Sequence, residues 1–239
     1  MATIILLRHG RTSANASGVL AGWSPDVHLD ELGRAQADAA AAAISACCTP
    51  ERIVASPLVR CQETADALRA ASGVAVETDD AVGECRYGAW TGRKLSDLAG
   101  EELWKQVQEH PSQVTFPPSP QFEHESMLAM QRRAVDAVRA LARELDERSN
   151  DEQGGSGVGV VVSHGDVIKS MLSDALGQHL DDFQRIVLAP ASMSVIRFVG
   201  NRPFVLAMNV TSGGLGEAVG LARSTSAEST VGGATGATQ

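Results

Sequence analysis

Short apolar runs recur along this chain, and the two strongest stop abruptly at residues able to do chemistry. Ile4-Ile5-Leu6-Leu7 ends at Arg8-His9-Gly10, and Gly159-Val160-Val161-Val162 ends at Ser163-His164-Gly165. Fully apolar runs of this length suit central strands of a parallel sheet, buried on both faces. Arg52–Ala55 and Val74–Thr78 read as two further strands. Ser192–Phe198 and Pro203–Met208 read as a hairpin turning at Gly200-Asn201.

Helical periodicity fills the gaps. A first helix runs from about Glu31 through the alanine run Ala39–Ala43 to about Cys47. A second is predicted to open with Ser56 as N-cap and Pro57 at the first helical position, and to stop at Gly73. From Ser126 to about Arg148, Leu128, Val135, Val138, Leu141 and Leu145 share one face, with Arg and Glu on the other. A further helix follows His164 and closes at Gly177, with Asp166 as its expected cap. Strands alternating with helices predict an α/β protein. From Asp79 to Gln121 the alternation breaks into a glycine-rich loop, a short helix over about 96–109 and a proline-rich stretch. Insertions of this length cap active sites or stay disordered. Ser149–Gly157 reads as a polar connector, and the Gly/Ala/Ser/Thr-rich tail 212–239 as disordered.

Charge narrows the partners. With 29 acidic against 20 basic side chains, the net charge of −9 argues against nucleic acid, whose binding needs a basic face. No stretch is apolar for long enough to span a membrane. The four cysteines (47, 48, 61 and 85) have no CxxC or zinc spacing. They read as buried thiols of a cytoplasmic protein. Neither a metal nor another cofactor is expected. Exposed edge strands would leave room for a homodimer.

The two His-Gly strand ends carry the chemistry. If both strands are central and parallel, both imidazoles reach one edge of the sheet, where open α/β folds bind ligands. Arg8 flanks one of them. Arg60 sits in the first turn of the helix after Ser56-Pro57, where backbone N–H groups already favour an anion. Two arginines, two histidines and a helix N-terminus converging on one point call for a counter-ion, and a phosphoryl group fits.

These residues resemble the histidine phosphatase (phosphoglycerate mutase-like) superfamily. The likeness rests on Arg8-His9-Gly10, Ser56-Pro57-Leu58-Val59-Arg60, the Glu84–Gly92 segment with its Gly88, Trp90 and Gly92, and His164-Gly165, in that order over about residues 1–211. It implies a three-layer α/β/α fold with a mostly parallel central sheet and a helical and loop lid insertion at about 84–125. It also implies that His9 is the nucleophile and carries a phosphohistidine. Arg8, Arg60 and His164 would cradle the phosphoryl oxygens, and Glu84 would serve as acid and base. Asn15 and Ser163 are expected to add polar contacts. Gly165, Arg11, Trp23, Arg86 and Tyr87 are further substrate-binding candidates, with Phe116 and Phe122 also able to face the pocket. Trp90 reads as a packing anchor.

The resemblance implies a phosphomonoesterase acting on a small phosphorylated substrate. The alternatives are a phosphomutase of the phosphoglycerate mutase type and a non-catalytic phosphate-binding module. Mutases of this type place an arginine directly after the acid-base glutamate and a pair of arginines downstream. Here Cys85 follows Glu84, and Arg132-Arg133 is expected on the solvent face of its helix. Activity is expected to favour mildly acidic to neutral pH.

Overall fold

The computed structural model describes residues 1–151 and 157–212. The tail from 213 and most of the 149–157 connector therefore lie outside the described residues. In chain order the elements are β1 (Ala2–Arg8), α1 (Ser13–Ala16), α2 (Glu31–Cys47), β2 (Arg52–Ala55), α3 (Val59–Ser72), β3 (Val76–Thr78), α4 (Leu95–Leu98), α5 (Glu102–Glu109), α6 (Met127–Asp151), β4 (Gly157–Ser163), α7 (Gly165–Leu176), β5 (Met193–Val199) and β6 (Arg202–Val210). Several 3-10 turns join them.

The six strands form one sheet in the order β3-β2-β4-β1-β5-β6. β1 to β4 are parallel; beside them β5 runs antiparallel to β1, and β6 antiparallel to β5. Alternation along each strand divides the core. Ile5, Leu7, Ile53, Ala55, Val160 and Val162 pack under α2 and α3. Ile4, Leu6, Val54 and Val161 face α6 and α7 on the other side. The fold is the expected mixed α/β sandwich.

Three local readings change. The second helix begins at Val59 with Leu58 as its cap, so Ser56 is not the N-cap and its hydroxyl is turned elsewhere. The helix expected over 96–109 is two pieces, α4 and α5, separated at Gly100. Cys61 and Cys85 are buried thiols as expected, but Cys47 is exposed and Cys48 only half-buried. The segment over 84–125 packs into the body. Tyr87, Trp90, Leu98, Val107, Val114 and Phe116 all join the core beneath it. Phe116 lies edge-on against Tyr87 and Trp90, so it packs the interior instead of lining a pocket.

The sheet register sets the site. β1 and β4 are central neighbours with Arg8 opposite Ser163, so the next residue of each strand is a histidine. His9 and His164 leave the carboxyl edge of the sheet side by side.

Candidate active site

The backbone of His9 is pinned from two sides. Its N–H donates to the Ser163 carbonyl (3.0 Å) and its carbonyl accepts from the Ala191 N–H (3.0 Å). Gly10 follows in close contact with the start of α2: a Cβ there would lie 2.3 Å from the Gly33 carbonyl oxygen. This close approach, and not a left-handed turn, is why glycine stands at position 10. The Gly10 N–H also donates to Thr64 Oγ1 on α3 (3.1 Å).

Side-chain chemistry then fixes the imidazole. His9 Nδ1 lies 2.7 Å from the Gly10 carbonyl oxygen. A carbonyl only accepts, so Nδ1 carries the proton and Nε2 keeps its lone pair. The His164 ring stands beside it, with centroids 5.3 Å apart and planes tilted by 60°. His164 Nε2 is 2.7 Å from Ser56 Oγ, which explains where that hydroxyl points. His164 Nδ1 is 3.6 Å from Glu84 Oε2.

Two buried guanidinium groups flank the rings. Arg8 ends β1 and donates from Nη1 to the Leu188 carbonyl (2.7 Å). Arg60, in the first turn of α3, donates from Nη2 to the Gly22 carbonyl (2.9 Å) and lies 3.8 Å from Glu84 Oε2. Its Nη1 is buried and has no hydrogen-bond partner among the described residues. An unpaired buried donor on a cation suits an anionic ligand. His9, His164, Arg8, Arg60 and Glu84 are each 4% exposed or less.

Burial dictates the protonation states. It holds the His9 imidazole well below its ordinary value, and the charges of Arg60 and Arg8 lower it further, against the pull of the Gly10 bond. His164 is lowered well below the ordinary value in the same way, by burial and then by Arg60. Both rings are therefore neutral at neutral pH. Burial, assisted by Asp166, pushes the Glu84 carboxyl up to about 7, although Arg60 and Arg8 pull it down. Arg8 is lowered by burial to about 10 and stays a cation.

The Glu84 loop is held by residues that periodicity misplaced. Arg133, expected on a solvent face, is turned inward from α6. Its Nη1 donates to the carbonyls of Ala81 (2.9 Å) and Gly83 (2.8 Å), and its Nη2 to that of Glu84 (2.9 Å) and to Glu125 Oε1 (2.6 Å). Arg132 is exposed. Trp23 Nε1 donates to the Glu84 carbonyl (2.7 Å), and the Arg86 guanidinium lies 4.9 Å from the centre of the Trp23 ring. Arg86 also pairs with Glu123 (2.7 Å). Trp23 and Arg86 thus brace the acid's loop at its half-buried edge. Tyr87 is fully buried, and its hydroxyl lies between Glu84 and Asp166. Asp166 is not the cap of α7; that position is held by His164. Tyr87 and Asp166 stand behind the carboxylate.

The remaining candidates are committed locally. The Asn15 side-chain oxygen accepts from the Thr12 N–H (3.1 Å) and hydroxyl (2.8 Å), capping α1. Ser163 Oγ donates to the Val82 carbonyl (2.6 Å), and Gly165 is buried as the first residue of α7. Arg11 Nε donates to Asp30 (2.8 Å). Phe122 is half-buried. Among the described residues, no group of three or more His, Cys, Asp or Glu side chains is placed to hold a metal ion. No described helix is long and apolar enough to cross a membrane.

Paired imidazoles at two strand ends, with buried guanidinium groups on β1 and α3, suit an anionic ligand, and the family match places the chain in the phosphatase and phosphomutase class. The chain belongs to the histidine phosphatase superfamily (branch 1), whose model matches residues 4–211. It is 28% identical over 213 residues to phosphoserine phosphatase 1 of Hydrogenobacter thermophilus, covering 88% of this chain and 93% of that one. It is 26% identical over 196 residues to a 2,3-bisphosphoglycerate-dependent phosphoglycerate mutase of Thermoplasma acidophilum, covering 82% and 87%. Among solved structures, a mycobacterial glucosyl-3-phosphoglycerate phosphatase is 25% identical with a TM-score of 0.73, over 87% of this chain and 98% of that one.

Proposed function

We propose that this chain is a phosphomonoesterase that transfers the phosphoryl group of a small phosphorylated metabolite to His9 and then to water. One observation carries the reading. The Nδ1–H bond from His9 to Gly10 turns a bare Nε2 lone pair away from its own backbone, in a buried space shared with His164 and flanked by Arg8 and Arg60.

In the first step Nε2 attacks phosphorus in line and the bond to the ester oxygen breaks. Glu84, protonated in the dry site, gives its proton to that departing oxygen. Arg8, Arg60 and His164 donate to the equatorial oxygens, so guanidinium groups supply the positive charge that the transition state needs. In the second step water attacks the phosphohistidine, Glu84 takes the water's proton, and the P–N bond breaks to leave inorganic phosphate.

Hydrolysis is favoured over mutase action by the state of the nearby arginines. A mutase must grip the substrate's carboxylate while the phosphoryl group changes position. Arg86 is paired with Glu123, and Arg133 with Glu125 and the loop carbonyls. The test is a phosphoenzyme trap with a radiolabelled phosphomonoester. The label is expected to be acid-labile and alkali-stable, and to vanish in His9→Ala together with phosphate release. Isomerised phosphoglycerate formed faster than inorganic phosphate would instead establish the mutase. Retention of the label in His9→Ala would refute the assigned nucleophile.

A further inference from the structure

Helix α7 carries a stripe of polar residues, Asp166, Lys169, Ser170 and Ser173, spaced as a solvent-facing stripe would be, and all four are buried. Asp166 and Lys169 are both 0% exposed, with Lys169 Nζ 3.4 Å from Asp166 Oδ1. The ammonium also donates to Gln184 Oε1 (3.0 Å) and lies 5.5 Å from the centre of the Phe183 ring. A buried ion pair adds little stability, because desolvation cancels most of the attraction and an apolar pair of equal volume is often as good. Its position supplies another reason for it. Asp166 Oδ2 is 2.9 Å from the Tyr87 hydroxyl, and the same hydroxyl is 3.4 Å from Glu84 Oε1. A phenol has one proton, and the shorter contact takes it. The Tyr87 proton is therefore committed to Asp166.

We propose that Asp166 is a positioning residue for the acid: bridged to Glu84 through Tyr87, its negative charge keeps a proton on Glu84 until the leaving oxygen takes it. This rests on the phosphomonoesterase reading above. The groups that face Glu84 come from every side: Arg8 from β1, Arg60 from α3, His164 at the head of α7, Cys85 and Tyr87 from its own loop, and Arg133 from α6 through the Glu84 carbonyl. Cys61 of α3 also faces it, as does Asp166, with Lys169 behind. Of these, Asp166 brings the negative charge that opposes ionisation of the acid. Glu84 Oε1 is held by the Cys85 N–H (3.0 Å), which leaves Oε2 toward Arg60 and His164, the side on which a phosphoryl group would lie. Lys169 Nζ, 3.4 Å from Asp166 Oδ1, fixes that carboxylate behind Tyr87.

The test is the pH dependence of kcat/KM with two esters. Glycerol phosphate has a poor leaving group that needs the acid, whereas p-nitrophenyl phosphate does not. In the wild type, glycerol phosphate is expected to show an alkaline limb that p-nitrophenyl phosphate lacks. Asp166→Asn keeps the shape and the acceptor for Tyr87 but removes the charge. Its alkaline limb is expected to move down by about one pH unit, the scale of a nearby buried like charge. A limb present in the wild type and unmoved in Asp166→Asn overturns this inference alone. A wild type without the limb overturns Glu84 as the acid, and both readings with it. If the lone Lys169 charge prevents folding of the single variant, the double variant Asp166→Asn, Lys169→Met is compared with Lys169→Met alone, so that the Asp166 charge is the only difference; the limb of the double variant is expected about one pH unit lower, and equal limbs overturn the inference.

Discussion

Arg133 offers the sharpest test of how the acid is held, because periodicity and structure disagree about it. On a solvent face its loss would change stability by no more than about 0.5 kcal/mol. In the structure its side chain is 17% exposed and paired with Glu125, itself 10% exposed. The guanidinium also ties together the carbonyls of Ala81, Gly83 and Glu84. Arg133→Met removes the nearer of two cations on Glu125, which keeps Arg86 at 3.8 Å; breaking a fully buried pair costs roughly 3–5 kcal/mol. The residual exposure places this one at the lower end, about 3 kcal/mol. For a chain of this size each kcal/mol lowers Tm by about 2–4 °C, so a fall of roughly 6–12 °C is expected. Urea denaturation should show the midpoint moving with an unchanged slope. Adding Glu125→Gln should restore part of the loss, because it removes a carboxylate whose remaining cationic partner is Arg86 at 3.8 Å. Arg133→Lys should recover less than half, since an ammonium cannot fork across three carbonyls and a carboxylate. A single-variant loss below 0.5 kcal/mol would refute the account of this anchor.

Two further outcomes follow from the same geometry. Glu84 acts in its protonated form, which exists below a value near 7 and is lost above it; His9 acts in its neutral form, which exists above a value well below the ordinary imidazole range. The kcat/KM for an alkyl phosphate should therefore stay level through mildly acidic pH and fall about tenfold per unit above 7. Glu84→Gln should abolish that fall and lower the plateau by roughly 10²–10⁴; an unchanged alkaline limb in Glu84→Gln would remove the assignment. Gly10→Ala places a Cβ 2.3 Å from a backbone oxygen of α2, so the helix must move. A loss of about 2–3 kcal/mol or more, read by thermal melting, is expected together with reduced activity in the folded fraction.

Much of the frame was readable from residues alone because strand signals are local. Four apolar residues ending at Arg8-His9 announce a buried strand and what it delivers, and β4 repeats the message. The pairing of these two strands, on which the site depends, is non-local, yet parallel topology and the carboxyl-edge rule led to it. What escaped were residues whose polarity imitates a solvent face. Asp166, Lys169, Ser170 and Ser173 follow helical spacing, but Tyr87 covers Asp166, and the segment after Leu176 and the flank of α6 cover the other three. Arg133 likewise follows a charged stripe, and only the position of the Glu84 loop reveals that it points inward. Ser56 reads as a cap because capping chemistry is local, whereas its partner His164 lies 108 residues away.

One physical property, dryness, sets both halves of the proposed chemistry. Burial disfavours whichever form is charged, so it lowers the imidazoles and raises the carboxyl. In water near pH 5.5 a histidine would mostly hold a proton and a glutamate would not. Inside this site the order is reversed: Glu84 holds its proton up to about pH 7, and His9 loses its own well below the ordinary imidazole value. The arginines that draw in a phosphate help with the histidine but work against the acid, which is where a carboxylate behind Glu84 becomes useful. The segment from Tyr87 to Phe116 is therefore more than a cover. By filling the core with Tyr87, Trp90 and Phe116 it keeps the back of Glu84 dry, and water there would favour the ionised carboxyl, which has no proton to give.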